Sequence, residues 1–137
     1  IPEFRLPNNI VDVEIRNLEK MGVKFIKNCI VGKTISYDQL KEEGYRAMFV
    51  LLDTYSRRYG LCTIRQMLNR YAPPSENFTE GYIRFVSQTT GIAPDEMLNT
   101  RDERDMVPVV AAMSQIENGI AAVMADVYLG WDLFVEA

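Results

Sequence analysis

The residue best placed to do chemistry in this sequence is Glu117, which is followed by Asn118 and Gly119. A Glu at a helix end can carry a raised pKa and act as the general acid in muramidase-type hydrolysis of a glycan. Such hydrolysis normally takes two carboxylates, and the sequence offers three partners that it does not position: Glu76, Glu80 and Asp102. The alternative is that Glu117 is a solvated helix-end residue and that Asn118-Gly119 simply ends the helix.

Other residue types that support catalysis or metal binding are scarce. The chain of 137 residues contains no His, which removes the usual zinc ligand and the usual general base near neutral pH. Cys29 and Cys62 are too few and too far apart to form a metal cluster by themselves, and we expect two reduced, mostly buried thiols. We therefore predict no metal site, no cofactor site and no catalytic residue beyond the candidate Glu117.

Eight aromatic residues could either line a glycan groove or fill a core. They are Tyr45, Phe49, Tyr55, Tyr59, Tyr71, Tyr82, Phe85 and Trp131. Because their spacing is helical, we favour the core interpretation. We expect the pair Arg57-Arg58 to be a solvated helix end. The net charge of −4 argues against nucleic acid as a partner, because phosphate binding needs a concentrated positive surface.

The composition changes at the junction Gly44–Tyr45. The cations before it are five Lys and two Arg, whereas those after it are eight Arg and no Lys. Before the junction we expect a short extended run over residues 1–6, a helix that starts at Asn8 or Asn9 and packs one face on a core, and a strand over Val23–Val31. Ser36 is expected to cap a second short helix that ends at Gly44.

After the junction, apolar residues recur with helical spacing and predict about five helices. Their expected limits are Gly60, Thr63, Ala72-Pro73, Asn77 or Thr79, Gly91, Asp102 or Asp105, and Gly119. The predicted fold class is therefore α+β, with a small strand–helix–strand unit over residues 1–44 and a predominantly helical domain over residues 45–137.

The first unit resembles a flavoprotein family. The segments Pro2-Glu3-Phe4-Arg5-Leu6-Pro7, Gly22-Val23 and Val31-Gly32-Lys33-Thr34-Ile35 are similar to a stretch of the glutamate synthase small subunit family, which is related to dihydropyrimidine dehydrogenase. The resemblance implies flavin and NADPH chemistry. Dinucleotide binding in that family depends on Gly-x-Gly-x-x-Gly turns, and here the glycines are isolated, while its iron–sulfur Cys clusters are absent. We therefore expect no cofactor.

The second unit resembles a family of phage-associated structural proteins found in virions, prophages and Bacteroides-type genomes. The motifs that carry the resemblance are Arg70-Tyr71-Ala72-Pro73-Pro74-Ser75-Glu76-Asn77, Thr79-Glu80-Gly81-Tyr82-Ile83, Thr90-Gly91-Ile92-Ala93-Pro94-Asp95 and Ile116-Glu117-Asn118-Gly119. Members of that family open with an Asn-rich segment, and here the flavoprotein-like unit stands in its place. The two resemblances together imply a hybrid chain.

These observations favour a non-enzymatic structural or interaction domain of phage-derived or chimeric origin. The alternatives are a lysozyme-like peptidoglycan hydrolase or its accessory domain, and a flavin- or NADPH-binding oxidoreductase fragment. Expected partners are a protein or a second copy of the chain, with peptidoglycan as the alternative and neither nucleic acid nor membrane. The segment Ile1-Pro2-Glu3 lacks the basic and apolar regions of a signal peptide, and we expect a cytoplasmic or virion-associated protein.

Overall fold

A computed structural model describes residues 8–137 of the chain. The extended run expected over residues 1–6, and with it most of the first flavoprotein-like motif, lies outside the described residues. The chain divides into two compact units, one ending at Ile35 and the other spanning Ser36–Ala137. The boundary between these units therefore precedes the compositional junction at Gly44–Tyr45.

The first unit contains one helix, α1, which spans Asn8–Lys20. The sequence places this helix correctly, but the expectation that its apolar face packs on a core is wrong. None of its residues is buried, and Ile10 and Val13 are about half exposed. The chain leaves the helix through a turn at Gly22, whose φ of 94° lies in the region that favours glycine.

The predicted strand over Val23–Val31 does not form, and the α+β fold class is wrong. Residues 8–137 are all-helical in their regular structure and hold only one isolated bridge, between Val31 and Ile35. A strand is stabilised by hydrogen bonds and side-chain packing with a neighbouring strand. The described part of the chain supplies no such neighbour, and the apolar side chains Phe25, Ile26 and Ile30 of this segment are exposed.

Helix α2 spans Tyr37–Tyr59 and runs straight through the junction. The predicted cap at Ser36 is confirmed, since its side chain accepts from the backbone N–H of Gln39 and the Gln39 side chain accepts from the backbone N–H of Ser36. The predicted end at Gly44 is wrong. The helix ends at Gly60, which has a φ of 66° and donates its N–H to the last carbonyls.

The next two helices follow their sequence signals closely. Helix α3 spans Ile64–Tyr71, and Thr63 caps it through its side-chain oxygen, as predicted. Helix α4 spans Thr79–Thr90 and ends at Gly91, also as predicted. The Thr79 hydroxyl is buried and donates to the backbone carbonyl of Ala72, which ties the start of α4 to the end of α3.

The last two helices are α5, which spans Glu103–Asn118, and α6, which spans Met124–Glu136. Asp102 caps α5, and Gly119 ends it, both as predicted from sequence. Between α4 and α5, residues 94–96 form a turn. Helices α2 to α6 make five helices in the second unit, which agrees with the predicted number of about five.

The core of the second unit lies where α2, α5 and α6 meet, with α4 packed against α5 and α3 packed against α4. Phe49 of α2 packs edge-on against Trp131, with ring centroids 5.0 Å apart, and stacks on Phe134 at 6.0 Å. Helix α6 comes very close to α2 at Gly130, where a Cβ atom would lie 2.5 Å from the Cβ of Tyr45. Within residues 8–137, no helix is both long and apolar enough to cross a membrane.

A buried carboxylate anchors the segment that leads into α5. Asp53 of α2 is 1% exposed and accepts a hydrogen bond of 2.8 Å from the Thr100 hydroxyl. It also accepts a hydrogen bond of 3.1 Å from the Arg101 guanidinium and forms an ion pair with Arg57, with an N–O distance of 2.7 Å. The Arg101 guanidinium lies 4.6 Å from the centroid of the Phe134 ring. Asp53 therefore links α2, the segment before α5, and α6.

Two helical glycines give opposite predictions. Gly44→Ala is expected to stabilise the protein by about 0.5–1 kcal/mol, because Ala is the better helix former and nothing lies within 4 Å of the added Cβ. Gly130→Ala is expected to destabilise it by about 1–3 kcal/mol, because the new Cβ overlaps α2. Urea unfolding measures both. A loss of stability in Gly44→Ala would show that α2 does not continue through the junction.

Asp53→Asn is expected to lower the free energy of unfolding by about 1–3 kcal/mol, because a neutral amide loses the charge that pairs with Arg57 and Arg101 and turns its own NH₂ towards one of their guanidinium groups. The control is Asp132→Asn, which changes an exposed acid on α6 and should stay within about 0.5 kcal/mol of the parent. Equal stabilities for the two variants in urea unfolding would contradict the role given to Asp53.

Candidate functional site

Glu117 lies in the last turn of α5 and is exposed. Its carboxylate accepts a hydrogen bond from the Tyr71 hydroxyl, which belongs to the last turn of α3. The carboxylate is therefore held at the surface by a neighbouring helix, and does not simply extend into solvent. Asn118 and Gly119 end the helix, as the helix-end interpretation of the sequence predicts.

On one side of Glu117 lies an open cavity of about 720 Å³, which we call the aromatic cleft. Its walls come from the end of α3, the start of α4 and the end of α5, and they are formed by Tyr71, Ala72, Asn77, Phe78, Gly81, Tyr82, Phe85, Ile116 and Glu117. The Tyr71 and Tyr82 rings meet edge to face, with centroids 6.4 Å apart. The cleft thus combines four aromatic rings with one carboxylate.

Phe78 is the most exposed ring of the aromatic cleft, at 81%. It lies across the first turn of α4, where a Cβ atom on Gly81 would be only 2.3 Å from the ring. Gly81 therefore leaves the space that this ring occupies. Sequence reasoning missed Phe78 as a site residue, although the spacing Phe78-x-x-Gly81 at a helix start is visible in the sequence.

The two tyrosines of the cleft are hard to ionise. Burial is the main cause that raises the pKa of Tyr71, and the hydrogen bond and negative charge of Glu117 add to it. Burial also raises the pKa of Tyr82, with further contributions from the charges of Glu117 and Tyr71. Both groups therefore remain neutral hydroxyls through the physiological range and beyond, and Tyr71 is the donor in its bond with Glu117.

On the other side of Glu117 lies a second cavity of about 620 Å³, which we call the polar groove. It runs between α2, α5 and the segment that leads into α6, and its polar side chains are Tyr37, Lys41, Tyr45, Ser114, Glu117, Asn118 and Asp126. The Tyr45 and Ser114 hydroxyls are 3.0 Å apart. Asn118 donates to the carbonyl and hydroxyl oxygens of Ser114 at 3.0 and 3.1 Å.

An ion pair closes the far end of the polar groove. Lys41 Nζ lies 2.9 Å from Asp126 Oδ2 and 3.1 Å from Asp38 Oδ1. Hydrogen bonds to Asp126 and then to Asp38 raise the pKa of Lys41, so this amine stays charged. Asp126 is the one further acid that shares a cavity with Glu117, and sequence reasoning did not single it out.

None of the three acids proposed from sequence as partners of Glu117 lines either cavity. Asp102 caps the opposite end of α5, about 22 Å away along the helix axis. Its pKa is lowered by hydrogen bonds from Arg104. Glu80 pairs with Arg65 at 3.1 Å, and Glu76 is an exposed loop residue.

The aromatic residues divide between core and cavities. Phe49, Tyr55 and Trp131 are buried, as the core interpretation predicts. Tyr45, Tyr71, Tyr82 and Phe85 pack against the core with one side and line a cavity with the other. Tyr59 is half exposed, and its ring covers the guanidinium of Arg70, 3.8 Å from the centroid.

The two cysteines are free and partly exposed, and Cys62 lies 3.3 Å from the Ser56 hydroxyl. Within residues 8–137, no group of three or more acidic, Cys or His side chains is arranged so that it could hold a metal ion. Arg57 and Arg58 are exposed in the last turn of α2, as predicted, and Arg57 in addition pairs with Asp53.

Comparison with known proteins supports both resemblances. Over 76 residues, 56% of this chain, it is 42% identical to Protein P5 of Pseudoalteromonas phage PM2. Over 50 residues, 36% of this chain, it is 50% identical to the NAD-dependent dihydropyrimidine dehydrogenase subunit PreT of Escherichia coli. A stretch of 58 residues is 33% identical to a putative glutamate synthase (NADPH) small chain of Cereibacter sphaeroides. No family model matches the chain, and no solved structure matches it.

All of these matches are partial. The chain spans 46% of the length of the phage protein, 12% of the dehydrogenase subunit and 14% of the synthase chain. The predicted resemblance to two families is confirmed, and the chain combines similarity to a phage protein with similarity to a small piece of an oxidoreductase subunit.

The tyrosine pair gives a prediction for alkaline pH. In the unfolded chain tyrosines ionise near their ordinary pKa of about 10, whereas burial keeps Tyr71 and Tyr82 neutral in the folded protein. Their contribution to stability is fully present below about pH 10 and is lost as the pH rises towards their folded pKa values. We expect Tyr71→Phe to lose less stability above pH 10 than the parent.

Ultraviolet absorbance of tyrosinate and urea unfolding at a series of pH values check this expectation. The matched control is Tyr128→Phe, because Tyr128 is an exposed tyrosine outside the cleft. If all seven tyrosines of the folded protein ionised together near their ordinary pKa, the described environment of Tyr71 and Tyr82 would be wrong.

Proposed function

We propose that this chain is a non-catalytic interaction domain of phage type, and that it binds a glycan in the aromatic cleft beside Glu117. Similarity to a phage protein over more than half of the chain supports the phage-type origin. The smaller match to an oxidoreductase subunit supports a chimeric origin for the chain.

The observation that carries the proposal is the Phe78 ring, which is 81% exposed and lies over the glycine of the first turn of α4. Together with Tyr71, Tyr82 and Phe85, this exposed ring forms a contiguous aromatic surface, and contiguous apolar surfaces rimmed by polar groups mark binding sites. Sugar rings have an apolar C–H face that packs on an aromatic ring, and their hydroxyls form hydrogen bonds. Glu117 and the Tyr71 hydroxyl lie in the same cleft and supply polar groups for those hydroxyls.

The arrangement of Glu117 supports binding over catalysis. A general acid must donate a proton, whereas Glu117 accepts one hydrogen bond from Tyr71. The other acid in reach of the same cavities, Asp126, is paired with Lys41 at 2.9 Å, which leaves it poorly placed as a nucleophile or base. Glu117 and Asp126 therefore do not form the pair of available carboxylates that ordinary glycoside hydrolysis uses.

A peptidoglycan hydrolase remains the second candidate, and one observation favours it. Glu117 lines both cavities, so a glycan chain that filled both would pass directly over this carboxylate. A flavin- or NADPH-binding fragment has no comparable observation in its favour, and its test is simple. The purified protein should be colourless and should not quench the fluorescence of added NADPH.

Phe78→Ala is expected to weaken binding to purified peptidoglycan and to soluble N-acetylglucosamine oligomers by about tenfold, which corresponds to ~1.4 kcal/mol. Gly81→Ala should act in the same direction, because its Cβ occupies the space of the Phe78 ring. The control is Tyr128→Ala, which removes an exposed ring from α6 and should bind as the parent does. Sedimentation with peptidoglycan and calorimetry with the oligomers measure the change. Equal binding by the parent and all three variants would overturn the proposal. Failure of the parent protein to bind would overturn it as well.

Glu117→Gln separates the two candidates. For a binding domain we expect no clearing of a peptidoglycan suspension by the parent or by the variant, and a fold stability that is nearly unchanged. Clearing by the parent that disappears in Glu117→Gln would promote the hydrolase and would contradict the non-catalytic proposal.

A further inference from the structure

The aromatic cleft and the polar groove share a wall at the end of α5. Residues three or four apart lie on one face of a helix, so Val110, Ser114 and Glu117 follow one another along the groove. Ile116 and Glu117 face the aromatic cleft. Glu117 is thus the boundary between two cavities that open on either side of the same helix end.

The polar groove differs chemically from the cleft. Its centre carries a chain of hydrogen-bonding groups that runs from the Tyr45 hydroxyl through Ser114 to the Asn118 amide. Asn118 uses its NH₂ group in this chain, and it is an exposed residue whose amide oxygen faces no donor among the described residues. Met48, Val110 and Ala122 supply apolar wall next to these groups. Hydroxyl and amide groups beside an apolar wall fit an acetamido sugar.

The charges of the groove favour a neutral ligand. Lys41 is occupied by Asp126 and Asp38, and Glu117 leaves a net negative charge between the two cavities. An acidic polymer such as a nucleic acid would be repelled there. A neutral chain of N-acetylated sugars has no such cost.

Building on the proposed function, we propose that the polar groove is a second subsite, so that one linear chain of N-acetylated sugars extends from Phe78 across Glu117 to Tyr45, Ser114 and Asn118. The cleft then binds the ligand through ring packing, and the groove adds affinity and selects for the acetamido group. Only a chain long enough to cross Glu117 occupies both subsites.

The test compares oligomers of N-acetylglucosamine with increasing length. For the parent protein we expect the affinity to rise at least about tenfold from the disaccharide to the hexasaccharide, which corresponds to ~1.4 kcal/mol. Tyr45→Phe and Asn118→Ala should remove most of that gain and leave disaccharide binding as it was. Phe78→Ala should weaken the binding of every oligomer. Backbone NMR shifts near Ser114 should move with the long oligomers alone.

The outcomes separate this inference from the proposed function. Equal affinity for short and long oligomers in the parent, with Phe78→Ala still impaired, would overturn the second subsite and leave the cleft proposal in place. No binding of any oligomer would overturn both. Concentration-dependent dimerisation that Tyr45→Phe and Asn118→Ala abolish would assign the groove to a second copy of the chain, and would also overturn the inference.

Discussion

The structure of the second unit depends on one buried charge, the carboxylate of Asp53. A charge taken out of water is tolerated only when hydrogen bonds and opposite charges replace the lost hydration. Asp53 obtains these from Thr100, Arg101 and Arg57, so the chain before α5 has to return to the side of α2. Arg101 also covers the Phe134 ring of α6. The contacts of Asp53 and Arg101 therefore fix the start of α5, whereas the candidate site lies at the other end of this helix.

From that start, α5 brings Glu117 to the point where both cavities meet. Hydroxyl groups from two other helices hold this end of α5: Tyr71 of α3 donates to Glu117, and Tyr45 of α2 lies within hydrogen-bond distance of Ser114. The close approach at Gly130 brings α6 against α2, and the segment that leads into α6 forms the remaining wall of the polar groove. The cavities result from how the neighbouring helices pack around the end of α5, and no single segment contains them.

The compositional junction at Gly44–Tyr45 falls within one helix. Residues of α2 before Gly44 lie in the helical unit and line the polar groove with Tyr37 and Lys41. Lys41 pairs with Asp126, which lies far beyond the junction in sequence. Helix propensity and a strong cap at Ser36 suffice to extend α2 across the junction, because a lone glycine costs a helix only about 1 kcal/mol.

Local signals in the sequence determined most helix ends of the second unit, Gly44 being the exception, because caps such as Thr63 and Asp102 and stops such as Gly91 and Gly119 act through their immediate neighbours. Glu117 could be singled out because the sequence places it at a helix end, directly before Asn118 and Gly119. Tertiary structure alone decided the rest. The alternation over Val23–Val31 did not become a strand, since a strand needs a partner from elsewhere in the chain. Phe78, Asp126 and Tyr71 became neighbours of Glu117 in space only because helices distant in sequence pack together.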